Sequence, residues 1–136
     1  MRKTTKRYMR GGKVMATTTK KWRHDELAHD LAMFLSNPAR MVWEDMQLGP
    51  SGSPRPDVYT MQKSYTQPKP RAYEVKVSVS DFRSDVTQGK WQSYLAFASS
   101  VTFCAPSGLI TKNDVPNGCG LMVRGNEGWK TLKAPT

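Results

Sequence analysis

The chain is 136 residues long and carries 21 Lys and Arg residues against 11 Asp and Glu residues, a net charge of +10. This length predicts one domain with a single modest core. No apolar run approaches the ~18 residues that span a bilayer, and the basic N-terminus has no apolar segment of the secretory type. We therefore expect a cytoplasmic protein without membrane contact. Cys104 and Cys119 provide no disulfide framework and are expected to be reduced core thiols.

Most of the positive charge lies at the N-terminus. Residues 1–21 hold eight basic and no acidic side chains, which leaves only +2 for residues 22–136. We predict a basic, flexible arm over 1–21 and one folded domain over 22–136. Such an arm, including Lys20 and Lys21, can bind DNA phosphates through counterion release. The alternative is a solubilising tail without a specific role. Met15 also resembles a start site, and translation from it would remove most of the arm.

The first regular element is a helix over 25–36. Leu27, Leu31, Phe34 and Leu35 are expected to share one apolar face, and Asn37-Pro38 ends the helix. Glu26 suits the positive end of the helix dipole. His24 and His29 are five residues apart and do not share a helix face as an i, i+4 metal pair does, so we interpret both as surface or structural residues.

Three strands are predicted to follow. Residues 40–48 alternate in polarity, residues 49–54 form a turn, and residues 56–59 form a short second strand. The third strand covers 71–79, and a loop over 62–70 predicts an antiparallel hairpin between the second and third. Because side chains alternate along a strand, Glu74 and Lys76 share one face and Val75 takes the other. Glu44 is expected to cover the exposed face of the first strand, and the alternative is that it faces the site across the hairpin.

The C-terminal half alternates helix and strand. Ser80 is the predicted N-cap of a second helix, which weakens at 87–89 and resumes with a core-facing stripe at Trp91, Tyr94, Leu95 and Ala98. Residues 101–105 predict a fully buried strand, and residues 120–124 and 128–132 predict a closing hairpin. The patterns alone indicate a single α/β domain.

Asp57, Glu74 and Lys76 form the candidate site. If Asp57 lies opposite the polar face of the third strand, the three side chains converge. Two nearby carboxylates suit Mg²⁺, which proteins bind through one or two carboxylates, water and phosphate oxygens. A bound metal ion lowers the pKa of its water, and a neighbouring lysine can orient that water and offset negative charge. The alternative is a surface salt-bridge cluster, which contributes about 0–1 kcal/mol.

Pro56-Asp57 followed by Glu74-Val75-Lys76 resembles the motif of the PD-(D/E)XK nuclease superfamily. Further runs at 80–85 (SDFRSD), 90–95 (KWQSYL), 103–106 (FCAP) and 108–110 (GLI) resemble its MmcB-like DNA-repair branch. The short motif alone occurs by chance in many proteins, whereas the extended pattern is more specific. The resemblance covers about residues 57–123. It implies an αβββαβ core of the restriction-endonuclease type, with a mixed sheet flanked by helices.

The resemblance also implies roles. Asp57 and Glu74 would bind Mg²⁺, for which Mn²⁺ substitutes, with the Val75 carbonyl as a further ligand, and Lys76 would lie beside the attacking water. Glu26 would be a further acid at the metal, against its simpler interpretation as a first-turn acid. Polar or basic side chains of the second helix would contact DNA. These DNA-binding candidates are Arg83, Gln88 and Lys90.

The predicted activity is metal-dependent hydrolysis of DNA, by endonuclease rather than exonuclease action, in DNA repair, recombination or phage DNA processing. No residue pattern indicates base readout, so we expect structure-dependent or weakly specific cleavage. A homodimer would suit an enzyme that cuts two strands. The alternatives are a DNA-binding subunit without turnover, and an interaction protein whose tail recruits a partner.

Overall fold

The computed structural model describes residues 20–136 and, before them, the backbone of two short strands. These strands, β1 (Lys6–Tyr8) and β2 (Val14–Thr17), pair antiparallel in a sheet of their own. The predicted flexibility of the arm over 1–21 concerns residues that lie mostly outside the described part of the chain. Neither α-helix within the described residues has the length and apolar character needed to cross a bilayer.

From residue 24 onward the element order is helix, three strands, helix, and three further strands. The elements are α1 (His24–Leu35), β3 (Arg40–Glu44), β4 (Val58–Gln62), β5 (Arg71–Val75), α2 (Val79–Gln88), a 3₁₀-helix (Lys90–Ala96), β6 (Ser100–Pro106), β7 (Gly120–Gly125) and β8 (Gly128–Lys133). The six strands from β3 to β8 form one mixed sheet in sequential order. The pairs β5–β6 and β6–β7 are parallel, and the other three pairs are antiparallel. The prediction of a single α/β domain is confirmed, as are the hairpins β4–β5 and β7–β8.

Helices cover both faces of the sheet. On one face, Leu27, Leu31 and Leu35 of α1 pack against side chains that include Val58 and Val75. The assignment of Phe34 to this apolar face was wrong, because its side chain is largely exposed. On the other face, α2 and the 3₁₀-helix pack with a cluster that includes Phe82, Tyr94 and Phe103. The rings of Phe82 and Phe103 meet edge to face with centroids 5.2 Å apart. The alternation predicted for the third strand therefore holds, because Val75 faces α1 while Glu74 faces the other helices.

Three predicted strands had wrong boundaries. The strand predicted over 40–48 ends at Glu44 because Asp45 has a φ of 51°, which breaks the extended backbone. The strand predicted over 56–59 is displaced to Val58–Gln62, so Asp57 lies in the preceding loop. The strand predicted over 71–79 ends at Val75.

The second helix also differs from its prediction. Its N-cap is Ser78, whose Oγ accepts a hydrogen bond from the Asp81 backbone N–H at 3.2 Å, so the predicted cap at Ser80 was wrong by two residues. Gly89 ends the helix with a φ of 70°, a left-handed conformation that favours glycine. The chain then continues as a separate 3₁₀-helix. Tyr94 is buried as predicted, whereas Leu95 is 49% exposed, because the 3₁₀ turn rotates it off the core-facing stripe.

Strand β6 and the two cysteines lie in the core. The strand β6 is buried along almost its whole length, as predicted from its continuous apolar run. Cys104 and Cys119 are both buried and unbonded to each other, as expected for core thiols. Burial, together with the nearby negative charges of Asp57 and Glu74, raises the pKa of the Cys104 thiol well above its ordinary value. This cysteine therefore stays protonated and inert at neutral pH.

Candidate active site

The candidate site lies at the end of β5, where the strand gives way to the loop before α2. The strand runs parallel to β6, and the pairing continues one step further through a 2.8 Å hydrogen bond from the Lys76 backbone N–H to the Cys104 carbonyl. This bond holds Lys76 in the direction of the strand. Its side chain consequently lies on the same side as that of Glu74, and the Lys76 Nζ is 3.4 Å from the Glu74 Oε2.

Asp57 reaches the same place from the neighbouring strand. Because β4 and β5 are antiparallel and Val58 lies opposite Tyr73, the residue before Val58 lies beside the end of β5. The Val75 backbone N–H donates a 2.7 Å hydrogen bond to the Asp57 Oδ2. The structure thus brings Asp57, Glu74 and Lys76 to one place, as the sequence predicted. Their chemical roles stay predictions.

Burial makes the charge of Glu74 unfavourable. Its side chain is only 14% exposed. Burial, followed by the negative charge of Asp57, raises the pKa of Glu74 to about 7, against the lowering effects of Lys76 and a hydrogen bond from Tyr94. Two carboxylates that share a poorly solvated place, with one only partly ionised at neutral pH, form an arrangement that an added cation would stabilise.

Asp85 is a member of this cluster that sequence reasoning missed. Its Oδ2 lies 2.9 Å from the Lys76 Nζ, and its Oδ1 accepts a 3.1 Å hydrogen bond from the Trp91 backbone N–H. Burial lowers the pKa of Lys76, but the bonds and charges of Asp85 and Glu74 outweigh it and raise that pKa. Lys76 is therefore a fixed ammonium group. The signal for Asp85 was present, since it belongs to the SDFRSD run that carried the resemblance.

Tyr94 and His24 complete the surroundings of the two carboxylates. The Tyr94 hydroxyl donates a 2.8 Å hydrogen bond to the Glu74 Oε1, although its position in the apolar stripe predicted only a core residue. The His24 Nε2 lies 3.2 Å from the Asp57 Oδ1, although we expected a surface or structural histidine. Burial lowers the pKa of His24, but hydrogen bonds to Asp25 and Asp57 and their charges raise it overall.

Glu26, predicted as a further acid, contacts different groups. Its Oε1 accepts a 3.2 Å hydrogen bond from the Arg23 backbone N–H, and its Oε2 lies 3.7 Å from the Lys20 Nζ. The backbone hydrogen bond from Arg23 is the main reason that the pKa of Glu26 is lowered. These contacts match its simpler interpretation as an acid at the start of α1. Its role at a metal ion stays a prediction.

The predicted DNA-binding residues are distributed over several surfaces. Lys90 and Lys76 line a cleft of about 310 Å³ together with His24, so Lys90 is beside the cluster. Gln88 donates a 3.3 Å hydrogen bond to the Ser84 hydroxyl on the outer side of α2. Arg83 is exposed on the same helix and borders a shallower cleft there. Lys21 is exposed before α1, and Lys20 lies over the Trp22 ring.

The donor set fits a hard divalent cation held by few protein ligands. Within residues 20–136, no group of three or more His, Cys, Asp and Glu side chains is arranged to hold a metal ion. Mg²⁺ does not need such a group, since one or two carboxylates with water and phosphate oxygens suffice. Asp57 and Glu74 supply that pair, and the pKa of Glu74 is raised first by burial and then by the negative charge of Asp57.

Comparisons with known proteins leave the family open. Neither a family model nor a curated protein matches the chain. Among solved structures, it resembles the SPO1766 protein of unknown function from Silicibacter pomeroyi, with 20% sequence identity and a TM-score of 0.64. The similarity covers 81% of this chain and 69% of that one. At this level of identity the likeness shows a shared fold alone.

Proposed function

We propose that this protein is a metal-dependent deoxyribonuclease with a PD-(D/E)XK core. The observation that carries the proposal is the convergence of Asp57, Glu74 and Lys76 at the end of β5. The 2.7 Å contact joins the loop before β4 to the end of β5, the 3.4 Å contact joins Glu74 to Lys76 just beyond that end, and burial raises the pKa of Glu74 to about 7. A salt-bridge cluster on the surface would leave its carboxylates solvated and without such a shift.

In the proposed site, the Asp57 and Glu74 carboxylates and the Val75 carbonyl would hold Mg²⁺, or Mn²⁺ in its place. When bound, the ion supplies a water of lowered pKa and offsets negative charge on the scissile phosphate. Lys76 provides a positive charge beside the attacking water. Asp85 positions Lys76 by holding its ammonium group at 2.9 Å. To act as a further acid at the metal ion, Glu26 would have to give up its ion pair with Lys20.

The hydrolysis consumes one water molecule. The water oxygen forms a bond to phosphorus while the bond from phosphorus to one ester oxygen breaks, and the departing oxygen takes a proton. Lys76 stabilises the negative charge that develops on the phosphate oxygens. Lys90, in the same cleft, is suited to contact a neighbouring phosphate of the bound strand. Arg83, Gln88 and the basic arm would extend this contact.

A DNA-binding subunit without turnover is the second candidate. The contact that favours it is the Lys76–Asp85 ion pair, since an ammonium group held by two carboxylates is less free to face a substrate. Cellular repair, recombination and phage DNA processing are equally open contexts for either candidate. A cytoplasmic location and a homodimer remain parts of the proposal.

The test is cleavage of labelled single-stranded, duplex and branched DNA in Mg²⁺, Mn²⁺ or chelator. We expect metal-dependent cutting that Asp57→Asn and Lys76→Ala each reduce at least about 100-fold. Glu127→Gln and Lys130→Ala, which change exposed residues of the β7–β8 hairpin, are matched controls and should cut normally. No cutting by the wild type in any metal, with DNA binding that neither site variant changes, would favour the DNA-binding subunit.

A further inference from the structure

A second cleft opens at the same edge of the sheet, on the α1 side. It has a volume of about 330 Å³, within the range of small-ligand pockets. The residues at its wall come from the segment before α1, from α1 itself, and from the ends of β6 and β7. They include Lys20, Trp22, Asp30 and Arg124.

Two cations flank an aromatic ring in this cleft. The Lys20 Nζ lies 4.0 Å from the centroid of the Trp22 ring, and the Arg124 Cζ lies 5.3 Å from it. Trp22 is only half-buried, so part of its ring remains accessible. Aromatic rings beside cations are the combination with which proteins hold single-stranded nucleic acids, because bases stack on the ring while cations pair with phosphates.

The two cations are held differently. The Arg124 Nε donates a 2.7 Å hydrogen bond to the Asp30 Oδ2, and its Nη1 donates to the Gly125 carbonyl, also at 2.7 Å. Trp129 donates a further hydrogen bond to the same Asp30 oxygen at 2.8 Å, which holds in place the carboxylate that binds Arg124. Within residues 20–136, Lys20 forms an ion pair with Glu26 at 3.7 Å, and its long side chain can move from the ring to a phosphate.

This cleft is close to the candidate active site. Trp22 precedes His24 by two residues, so their Cα atoms are at most about 7 Å apart. His24 contacts Asp57 and lines the cleft that holds Lys76. Because His24 lines the cleft of Lys76 and follows Trp22 by only two residues, we expect a strand bound at Lys76 to pass close to Trp22.

We propose that the Lys20–Trp22–Arg124 cleft binds one unpaired nucleotide of a single-stranded DNA segment. Its phosphate lies between Lys20 and Arg124 and its base stacks on Trp22. Paired bases inside a duplex cannot reach such a ring, so the cleft selects single strands or frayed ends over intact duplex. The inference rests on the proposed action on DNA, and it adds the strandedness of the substrate.

Measuring DNA binding in the presence of chelator tests the cleft without requiring DNA cleavage. Fluorescence anisotropy of the full chain would compare a labelled oligo-dT strand with a hairpin duplex of equal length. Trp22→Leu should weaken binding of the single strand at least about fivefold and leave duplex binding unchanged, whereas Trp22→Phe should retain most of the affinity. A Trp22→Leu variant with wild-type circular dichroism that binds both DNAs normally would overturn the proposal.

Salt dependence and competition test the phosphate part. Lys20→Gln should reduce the slope of log affinity against log salt by about one for the single strand, and the exposed control Lys130→Gln should not. Thymidine monophosphate should displace the strand better than inorganic phosphate. Equal displacement by the two would overturn the base contact. Because no arm of this test uses cleavage, a protein that never cuts DNA could still pass it.

Discussion

Replacing Glu74 by glutamine should stabilise the protein at neutral and alkaline pH. The folded state raises the pKa of Glu74 from 4.5 to about 7, mainly through burial and then through Asp57. The folded protein therefore binds a proton at Glu74 that the unfolded chain has already released. Stability is lost as pH rises from about 4.5 to about 7, which is opposite to the usual behaviour of a salt-bridged carboxylate.

The shift fixes the expected size of this effect. The difference between 4.5 and about 7 corresponds to about 3 kcal/mol at full ionisation. Between about pH 5 and about pH 8, the free energy of unfolding of the wild type should fall by about 2–3 kcal/mol relative to that of Glu74→Gln. The glutamine can still accept the hydrogen bond from Tyr94, and Lys76 keeps its partner Asp85. The variant should match the wild type near pH 5 and exceed it near pH 8.

Urea unfolding at several pH values, in chelator so that no cation compensates the site, measures this difference. Asp57→Asn should show part of the same effect, because the Asp57 charge is the second cause of the raised pKa. Glu127→Gln, an exposed carboxylate in the β7–β8 turn, should follow the wild type at every pH. Unfolding free energies of wild type and Glu74→Gln that run parallel from pH 5 to pH 8 would refute the reasoning.

Three further substitutions probe the surroundings of the site. Tyr94→Phe removes a hydrogen bond that lowers the pKa of Glu74, so the pH profile of cleavage should move to higher pH, and an unmoved profile would contradict this contact. Asp85→Asn leaves Lys76 with Glu74 alone and should lower the free energy of unfolding by about 3 kcal/mol, measured in urea. Gly89→Ala places a side chain at a φ of 70°, which should destabilise the protein by about 1–2 kcal/mol and lower its thermal midpoint. A glycine to alanine substitution in a right-handed helical turn would not carry this cost.

The fold was predictable where neighbouring residues determine the element. Alternating side chains indicated β5, the turn residues 125–127 between two runs indicated the β7–β8 hairpin, and the spacing of apolar residues indicated α1 to within one residue at each end. The predicted boundaries of the strands and helices were wrong where one residue adopts a special conformation or caps a helix. The positive φ of Asp45 ends β3, and the side-chain cap of Ser78 begins α2, and neither feature has a strong signal in composition.

The candidate site divides in the same way. Glu74 and Lys76 were predicted to share a face because they are two residues apart on one strand. Tyr94 joins Glu74 across 20 residues of sequence. His24 meets Asp57 only because α1 begins beside the loop that carries Asp57. Such contacts depend on how helices pack on the sheet, and periodicity cannot supply that packing. Tyr94 even satisfied the apolar pattern, since its ring is buried and only its hydroxyl reaches the site.

The charge balance of the cluster links the proposed metal ion to DNA binding. Two carboxylates, those of Glu74 and Asp85, contact the ammonium group of Lys76, and a third, that of Asp57, accepts a hydrogen bond from the backbone N–H of the adjacent Val75. A phosphate brought to this place would meet net negative charge unless a cation joined it. The Lys20–Trp22–Arg124 cleft has no such requirement, because the acids beside it are already paired, Asp30 with Arg124 and Glu26 with Lys20.

The two clefts should therefore respond differently to divalent cations. Mg²⁺ should increase DNA affinity through the cluster, and Asp57→Asn should weaken that increase, whereas the contribution of Trp22 should persist in chelator. Measuring single-strand affinity with and without Mg²⁺ for wild type, Asp57→Asn and Trp22→Leu separates these contributions. If Mg²⁺ increased affinity equally in wild type and Asp57→Asn, the ion would be acting elsewhere. The acidic cluster would then be a structural network around Lys76.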